Sequence, residues 1–193
     1  MEPTPPATRP TLPQDTPDPE LVARLRSGDP GAFQLLVRPV LPSLLRLARR
    51  LTGDPHWADD LVQETLVRAV RSIASFRGDA SLRTWLFRIQ LRLAAQPQRW
   101  RRTDPATALL DPPDVPAHPP EDDPRARELA ERLDEAMERL TPRQRTALHL
   151  RAVEGLDYRA IGALLDTTAG AARMLVLAAR RQVMQRMGRH LLP

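Results

Sequence analysis

Apolar residues recur every three or four positions through most of the chain, which is the spacing that lines them along one face of an α-helix. The pattern is clearest over residues 55–75, where one face carries Leu61, Val62, Thr65, Leu66, Ala69, Val70 and Ile73. No segment alternates apolar and polar residues as a half-buried strand does. The pattern therefore predicts an all-α fold.

Asp-Pro pairs mark the predicted starts of four helices, at residues 18–19, 29–30, 54–55 and 123–124. An Asp side chain accepts hydrogen bonds from the free N–H groups of a first helical turn, and proline is well tolerated at the first position. The first helix is expected over residues 19–27 and is ended by Gly28. The second runs from Pro30 to about Leu51 and is expected to be interrupted by Pro39 and Pro42.

A fourth helix follows the loop of residues 76–80, and Ser81 is its predicted cap. Its apolar stripe is formed by Leu82, Trp85, Leu86, Ile89 and Leu93. Proline at position 97 is expected to end or kink this helix.

The last third of the chain predicts a helix-turn-helix. A helix from Pro124 is followed by a second one with a capping box at Thr141 and Gln144, which ends before Gly155. Asp157 can cap a short helix over residues 158–165. A three-residue break then precedes a longer helix that runs to about residue 187.

Residues 103–123 separate the two helical regions. This stretch has six acids, six prolines and no basic residue, a composition that cannot bury a core. We therefore expect a Pro-rich tail over 1–18, two small helical domains over 19–102 and 124–193, and a flexible acidic linker over 103–123 between them.

Charge and composition limit the classes of function that the chain can have. The 193 residues include 29 basic ones, all of them arginine, against 24 acids, and the pI is near 11.1. This balance favours a polyanionic partner such as nucleic acid. Cysteine is absent, which excludes a disulfide framework, Cys-ligated zinc and a thiol nucleophile. No apolar run reaches a membrane span and no secretory signal is evident, so a cytoplasmic location is expected.

Three segments together resemble the sigma-70 family of bacterial transcription initiation factors, most closely its small extracytoplasmic-function type. They are DDLVQETLVRAV at 59–70, FRGDASLRTWLFRI at 76–89 and LTPRQRTALHLRAVEGLDYRAIGALL at 140–165. The resemblance covers about residues 19–189. It implies that the first domain binds core RNA polymerase and opens the −10 promoter element, and that the second binds the −35 element.

The resemblance also assigns residues to each surface. Polymerase contacts are expected from Asp60, Gln63, Glu64 and Thr65. Contacts to the −10 element are expected from Arg77, Arg83, Thr84, Trp85, Arg88, Arg92, Gln96, Arg99 and Trp100. Contacts to the −35 element are expected from Thr168, Arg173, Arg180 and Arg181.

Some of these residues have a second interpretation. From spacing alone, Asp60 and Glu64 fit a solvated acidic face better than a contact surface, and it is the motif that favours docking. Trp85 falls on an apolar stripe, so it can belong to the core or stack on an unpaired base.

Several positions depart from the family pattern. Relatives have an aromatic residue at Leu82 and an Asn and an Asp at Arg92 and Gln96, so the −10 base preference cannot be transferred. Relatives also carry glycine in the turn where this chain has Asp166. The recognition helix is unusually apolar, because Met174, Leu175, Leu177 and Ala178 replace polar residues. Such side chains read base edges poorly, so weak −35 readout is expected.

Two further functions remain open from the sequence. A divergent, protein-binding regulator would contact polymerase or an anti-sigma factor through the apolar helix, and an ordinary repressor would bind DNA without polymerase. No catalytic constellation is present, since His56, His118, His149 and His190 are scattered and no nucleophile–base pair is evident. We therefore expect no enzymatic activity, no cofactor and no metal.

Overall fold

The computed structural model describes residues 18–96 and 124–188. Within these two ranges the chain forms eight α-helices and no strand. The helices are α1 (Pro19–Arg26), α2 (Pro30–Thr52), α3 (Pro55–Ser72), α4 (Leu82–Ala94), α5 (Pro124–Glu138), α6 (Pro142–Ala152), α7 (Tyr158–Leu164) and α8 (Ala169–Met187). The predicted all-α class is confirmed.

The predicted helix caps are formed as the sequence indicates. Asp18, Asp29 and Asp54 accept backbone N–H groups of the first turns of α1, α2 and α3. Ser81 caps α4, and both hydrogen bonds of the Thr141–Gln144 capping box are present. The Asp123–Pro124 cap lies outside the described residues, as do residues 1–17 of the tail and the whole linker.

The second helix is continuous, so the predicted interruption at Pro39 and Pro42 is wrong. Both prolines lie inside α2. Proline removes one backbone hydrogen bond and frees the carbonyl four residues earlier, which for Pro39 is that of Leu35. Pro39 and Leu35 are both exposed, so water can satisfy that carbonyl. Ten buried residues of α2 hold the helix against the core and outweigh the loss.

Helices α2, α3 and α4 form the first core. Leu44 and Leu47 of α2, Leu61 of α3, and Leu86 and Phe87 of α4 are fully buried in it. The third helix ends in a single 3₁₀ turn, Ile73–Ser75. Val70, predicted on the buried face, is instead 53% exposed because it lies at the edge of that face.

Helices α6, α7 and α8 form the second core around Leu150, Ile161 and Val176. Gly155 adopts a φ of 73° in the turn after α6, which confirms the predicted left-handed stop. Helices α7 and α8 bend by 98° across a four-residue break, which is the geometry of a helix-turn-helix.

The two sets of helices touch each other. Helix α4 packs on α7, and α2 packs on α6. These contacts bring the end of α6 against the start of α4, where the charged groups described below meet.

Candidate nucleic-acid interface

A partly exposed polar face runs along α3. Asp60, Gln63 and Glu64 all lie on it and are half-buried. The Nε of Arg68 donates to Oε1 of Glu64 across 2.8 Å, so one of these carboxylates is already paired with a charge on the same helix. The face remains open to a partner that supplies hydrogen bonds or positive charge.

Thr65 differs from the other three residues predicted for this surface. Its side chain is fully buried, and its hydroxyl donates to the carbonyl oxygen of Leu61 at 2.7 Å. Thr65 therefore packs α3 against the core and offers no surface to a partner. The correction follows from helical geometry, because position 65 shares the buried face with Leu61 and Leu66.

The structure places Trp85 partly in the core and partly at the surface, so it fits both core packing and stacking on an unpaired base. The ring is half-buried and meets Phe76 edge to face, with ring centroids 5.4 Å apart. Phe76 is itself buried and is the first residue of the loop that carries Arg77. Packing thus fixes one edge of the indole, while part of the ring remains accessible for stacking.

The remaining residues predicted for this surface divide by exposure. Arg77, Arg92 and Gln96 are exposed, and Arg88 is half-buried. Arg83 and Thr84 are buried at 8% and 6% exposure, so they cannot meet DNA in this arrangement. Arg99 and Trp100 lie outside the described residues.

Arg83 is buried because it pairs with Glu154, which follows α6. Arg83 Nη2 contacts Oε2 of Glu154, and Arg46 of α2 donates to both carboxylate oxygens across 3.3 Å. His149 Nε2 lies 3.3 Å from Oε1 of the same group. We call Glu154, Arg46, Arg83, His149 and Ser43, whose hydroxyl accepts from Arg46, the Glu154 cluster.

The Glu154 cluster keeps its carboxylate ionised. Burial would raise the pKa of Glu154, since the side chain has no exposed surface. The nearby His149 imidazole, the charge of Arg46 and hydrogen bonds from Ser43 and Arg46 outweigh burial and lower that pKa to about 2.

The helix-turn-helix depends on a close approach at Gly162. A Cβ added there would lie 2.8 Å from the carbonyl oxygen of Thr167 and 3.1 Å from the backbone nitrogen of Ala169. The absence of a side chain lets α7 press against the turn that precedes α8. In that turn Asp166 takes a φ of 49°, a left-handed conformation that an Asp tolerates.

The outer face of α8 combines arginines with apolar side chains. Thr168 caps the helix by accepting from the backbone of Ala171, and its side chain is exposed at the helix start. The other residues predicted to bind DNA here, Arg173, Arg180 and Arg181, are all exposed. On the same helix Met174, Leu177 and Met184 are 63%, 41% and 65% exposed.

Sequence reasoning missed Gly162, Arg46 and the role of Glu154. Gly162 was detectable, since glycine inside a short helix indicates a close backbone approach. The contact of Glu154 with Arg46 and Arg83 spans more than seventy residues of chain and leaves no local signal.

Two further findings concern the described residues alone. They contain no group of three or more His, Cys, Asp or Glu side chains arranged to hold a metal. Among them no single helix is long and apolar enough to cross a membrane, and the only pair that reaches this length and apolarity is the sharply bent α7 and α8.

Sequence comparison identifies two matched regions and full-length relatives. Residues 36–104 match Sigma-70 region 2, and residues 130–183 match Sigma-70, region 4. The RNA polymerase sigma-H factor of Pseudomonas aeruginosa is 30% identical over 176 residues, covering 86% of this chain and 91% of the relative. The ECF RNA polymerase sigma-E factor of Haemophilus influenzae is 32% identical over 176 residues, covering 86% and 93%.

Solved structures show the same architecture. The sigma factor RpoE of Bartonella quintana, in complex with the anti-sigma factor NepR, matches with a TM-score of 0.64 and 26% identity, over 81% of this chain and 96% of that one. CnrH, in complex with the cytosolic domain of CnrY, matches in fold with a TM-score of 0.66 and 24% identity, over 89% and 97%.

Proposed function

Because the chain belongs to the sigma-70 family, as a sigma factor of the extracytoplasmic-function type, we propose how its surfaces divide the work of transcription initiation. The first domain, residues 19–102, binds core RNA polymerase and opens the −10 element. The second, residues 124–193, contacts the −35 element. Residues 103–123 join the two as an acidic linker. The observation that carries the proposal is the joint presence of the polar α3 face and the helix-turn-helix in one chain.

The polar face of α3 is the proposed polymerase contact. Asp60, Gln63 and Glu64 are partly exposed on it, while Thr65 supports the helix from behind. Carboxylates four residues apart on one helix face form a compact acidic site for a basic partner surface.

The −10 contact is proposed for the loop after α3 and for α4. Trp85 offers an aromatic surface for an unpaired base. Arg77, Arg88 and Arg92 are close to Trp85 along the chain and can bind the phosphates next to that base. Gln96, Arg99 and Trp100 would extend this surface.

The −35 contact is proposed to rest mainly on phosphates. Arg173, Arg180 and Arg181 on α8 can neutralise phosphate groups, which position a protein on DNA without specifying sequence. The exposed Met174, Leu177 and Met184 offer no hydrogen-bond pattern to base edges, so sequence discrimination at this element is weak.

The same apolar side chains favour a second candidate function, that of a regulator bound chiefly to proteins. The Bartonella quintana relative was solved with an anti-sigma factor, and we propose that this chain also has such a partner. DNA footprints distinguish the two functions: protection of both promoter elements supports the sigma factor, and protection of neither supports the regulator.

We further propose that the chain has no enzymatic activity of its own and acts in the cytoplasm, where core polymerase lies. The polymerase supplies the chemistry, and this chain supplies binding and strand opening.

Titration of core polymerase with labelled protein tests the docking face. The double variant Asp60→Asn, Glu64→Gln should bind at least about tenfold more weakly, because both changes remove charge from the contact and keep its shape. Glu20→Gln, which neutralises an exposed acid on α1, is the matched control and should bind normally. Equal affinity for the double variant and the control would show that this face is not the contact.

A further inference from the structure

The Glu154 cluster joins the two halves of the chain through a buried ion pair. We propose that it is a latch: Arg46 and Arg83 hold the Glu154 carboxylate and keep the unbound chain closed, and the latch opens when the chain engages polymerase and promoter DNA. The closed contact itself rests on geometry alone, and its consequence for initiation rests on the function proposed above.

The charges of the latch come from both sides of the contact. Glu154 follows α6, while Arg46 lies on α2 and Arg83 in the first turn of α4. Arg46 approaches both carboxylate oxygens at 3.3 Å, and Arg83 contacts one of them. Two guanidinium groups from one half of the chain therefore bind one carboxylate of the other half.

The carboxylate has no exposed surface, and the Arg83 side chain is only 9% exposed. A carboxylate of this kind needs its partners, because an unpaired buried charge is strongly unfavourable. A weaker pair at the rim, Arg50 with Asp134 at 3.7 Å, adds to the same contact.

The free energy needed to open such a latch is modest. When the halves separate, Glu154, Arg46 and Arg83 all regain hydration, which offsets the lost attraction between them. A binding partner that prefers the open arrangement can therefore shift the population.

The closed arrangement covers residues that initiation needs. Arg83, expected at the −10 element, is buried in its pair with Glu154 of the second half, and the neighbouring Thr84, also expected there, is buried as well. A cleft of about 560 Å³ lies beside them, lined from one side by Asp79 and Arg88 and from the other by Asp157 and Arg159. Opening would release Arg83 from Glu154 and turn it towards DNA phosphates.

Distance along DNA gives a second reason for opening. The −10 and −35 elements are named for positions about 25 base pairs apart, or about 85 Å along B-DNA. Helix α4, on the −10 side, touches α7 of the helix-turn-helix in the closed chain. Two DNA-binding elements in direct contact cannot bind both promoter elements at once.

Pulsed dipolar spectroscopy on the full chain measures the latch directly. The sequence has no cysteine, so Ala74→Cys and Gln185→Cys, both at exposed positions, can carry two spin labels without background labelling. Glu154→Gln and, separately, Arg46→Gln are made in this labelled chain. Arg46 is 45% exposed, so its replacement leaves each half able to fold. Glu138→Gln, an exposed acid on α5, is the control.

The unmodified chain and the control should give one narrow distance. Both latch variants should give a broader, longer distribution, and should associate with core polymerase about tenfold faster. An unchanged distance in both latch variants would overturn the latch. A broadened distance with an unchanged association rate would overturn its regulatory role. Failure of every form to bind core polymerase would refute the proposed function instead, while the distances would still decide the latch.

Discussion

Some features of the structure depend on a single residue, and Gly162 is the clearest example. It lies in α7, where only backbone atoms of the following turn surround it. A side chain at this position cannot be accommodated by moving a flexible neighbour, because Thr167 and Ala169 meet it with their main chains. The close packing at the bend between α7 and α8 therefore requires a residue without a side chain at position 162.

Replacing Gly162 with alanine should destabilise the second domain by about 1–3 kcal/mol, the usual cost of forcing an extra methyl group into a packed site. Urea unfolding followed by far-UV circular dichroism measures the change. Gly170→Ala is the matched control: its nearest contact is Thr168 Oγ1 at 3.8 Å, and alanine favours the helix. A Gly162 variant as stable as this control would contradict the account.

Trp85 has two roles to distinguish, packing against Phe76 and stacking on an unpaired base, and a promoter-opening assay separates them. Trp85→Ala should keep core polymerase binding and lose promoter opening, because the exposed part of the indole would no longer stack on a base. Fluorescence of 2-aminopurine in the −10 element reports the opening. Trp85→Phe keeps an aromatic ring against Phe76 and should retain part of the activity. Normal opening by Trp85→Ala would reassign the ring to packing alone.

At the scale of helices, α8 departs furthest from a typical DNA-reading helix. Its inner face is built from Ala172, Val176 and Ala179, all fully buried, and fixes the helix on the second core. Its outer face alternates exposed arginines with Met174, Leu177 and Met184. The arrangement suits phosphate contacts and an apolar partner better than base recognition.

Replacing Arg181 with glutamine should weaken promoter binding by similar amounts on different −35 sequences, because a phosphate contact carries no sequence information. It should also lower the slope of log affinity against log salt by about one, since one fewer counterion is released. Fluorescence anisotropy of the polymerase complex over a salt series measures both. Arg38→Gln, an exposed arginine on α2, should leave the slope unchanged. A loss confined to one −35 sequence would indicate base readout.

The sequence predicted the helices well because their signals are local. Asp18, Asp29, Asp54, Ser81 and Thr141 cap the helices that they were expected to cap. The exception is α2, where the local rule for proline was outweighed by burial of the helix along its length. Tertiary packing of this kind cannot be inferred from a proline's neighbours in sequence.

The candidate site was less predictable, because burial and long-range pairing decide which side chains remain available. Thr65 was placed on the polymerase face by its motif, yet it shares the core side of α3. Arg83 was placed at DNA, yet it pairs with a residue 71 positions away. The position of Thr65 on the apolar face of the helix already indicated its burial, whereas the pairing of Arg83 has no signature in the surrounding sequence.

At the scale of the whole molecule, the Glu154 cluster makes the contact between the halves depend on pH. The pKa of Glu154 is lowered from 4.5 to about 2 by His149, Arg46 and Ser43 despite burial. A lowered pKa stabilises the closed form above about pH 4.5, and this stabilisation is lost as the pH falls towards 2.

The spin-label distance should therefore stay narrow from neutral pH down to about pH 4.5 and broaden progressively below it. Protonation of the Glu154 carboxylate removes the negative charge that Arg46 and Arg83 bind, which weakens the contact. The Glu154→Gln protein, which has no carboxylate to protonate at this position, should show little further broadening between pH 4.5 and pH 2. A narrow distance retained by the unmodified chain at pH 2, with the helices intact by circular dichroism, would contradict this role of the carboxylate.

Promoter-directed initiation by the reconstituted enzyme is the most direct test of the central claim. Core polymerase is mixed with the purified chain and fragmented genomic DNA, and the 5′ ends of the transcripts are mapped. The account predicts discrete start sites that require the chain, with −10 elements more similar to one another than the −35 elements. The absence of any chain-dependent start site, together with no binding to core polymerase at low salt, would contradict it.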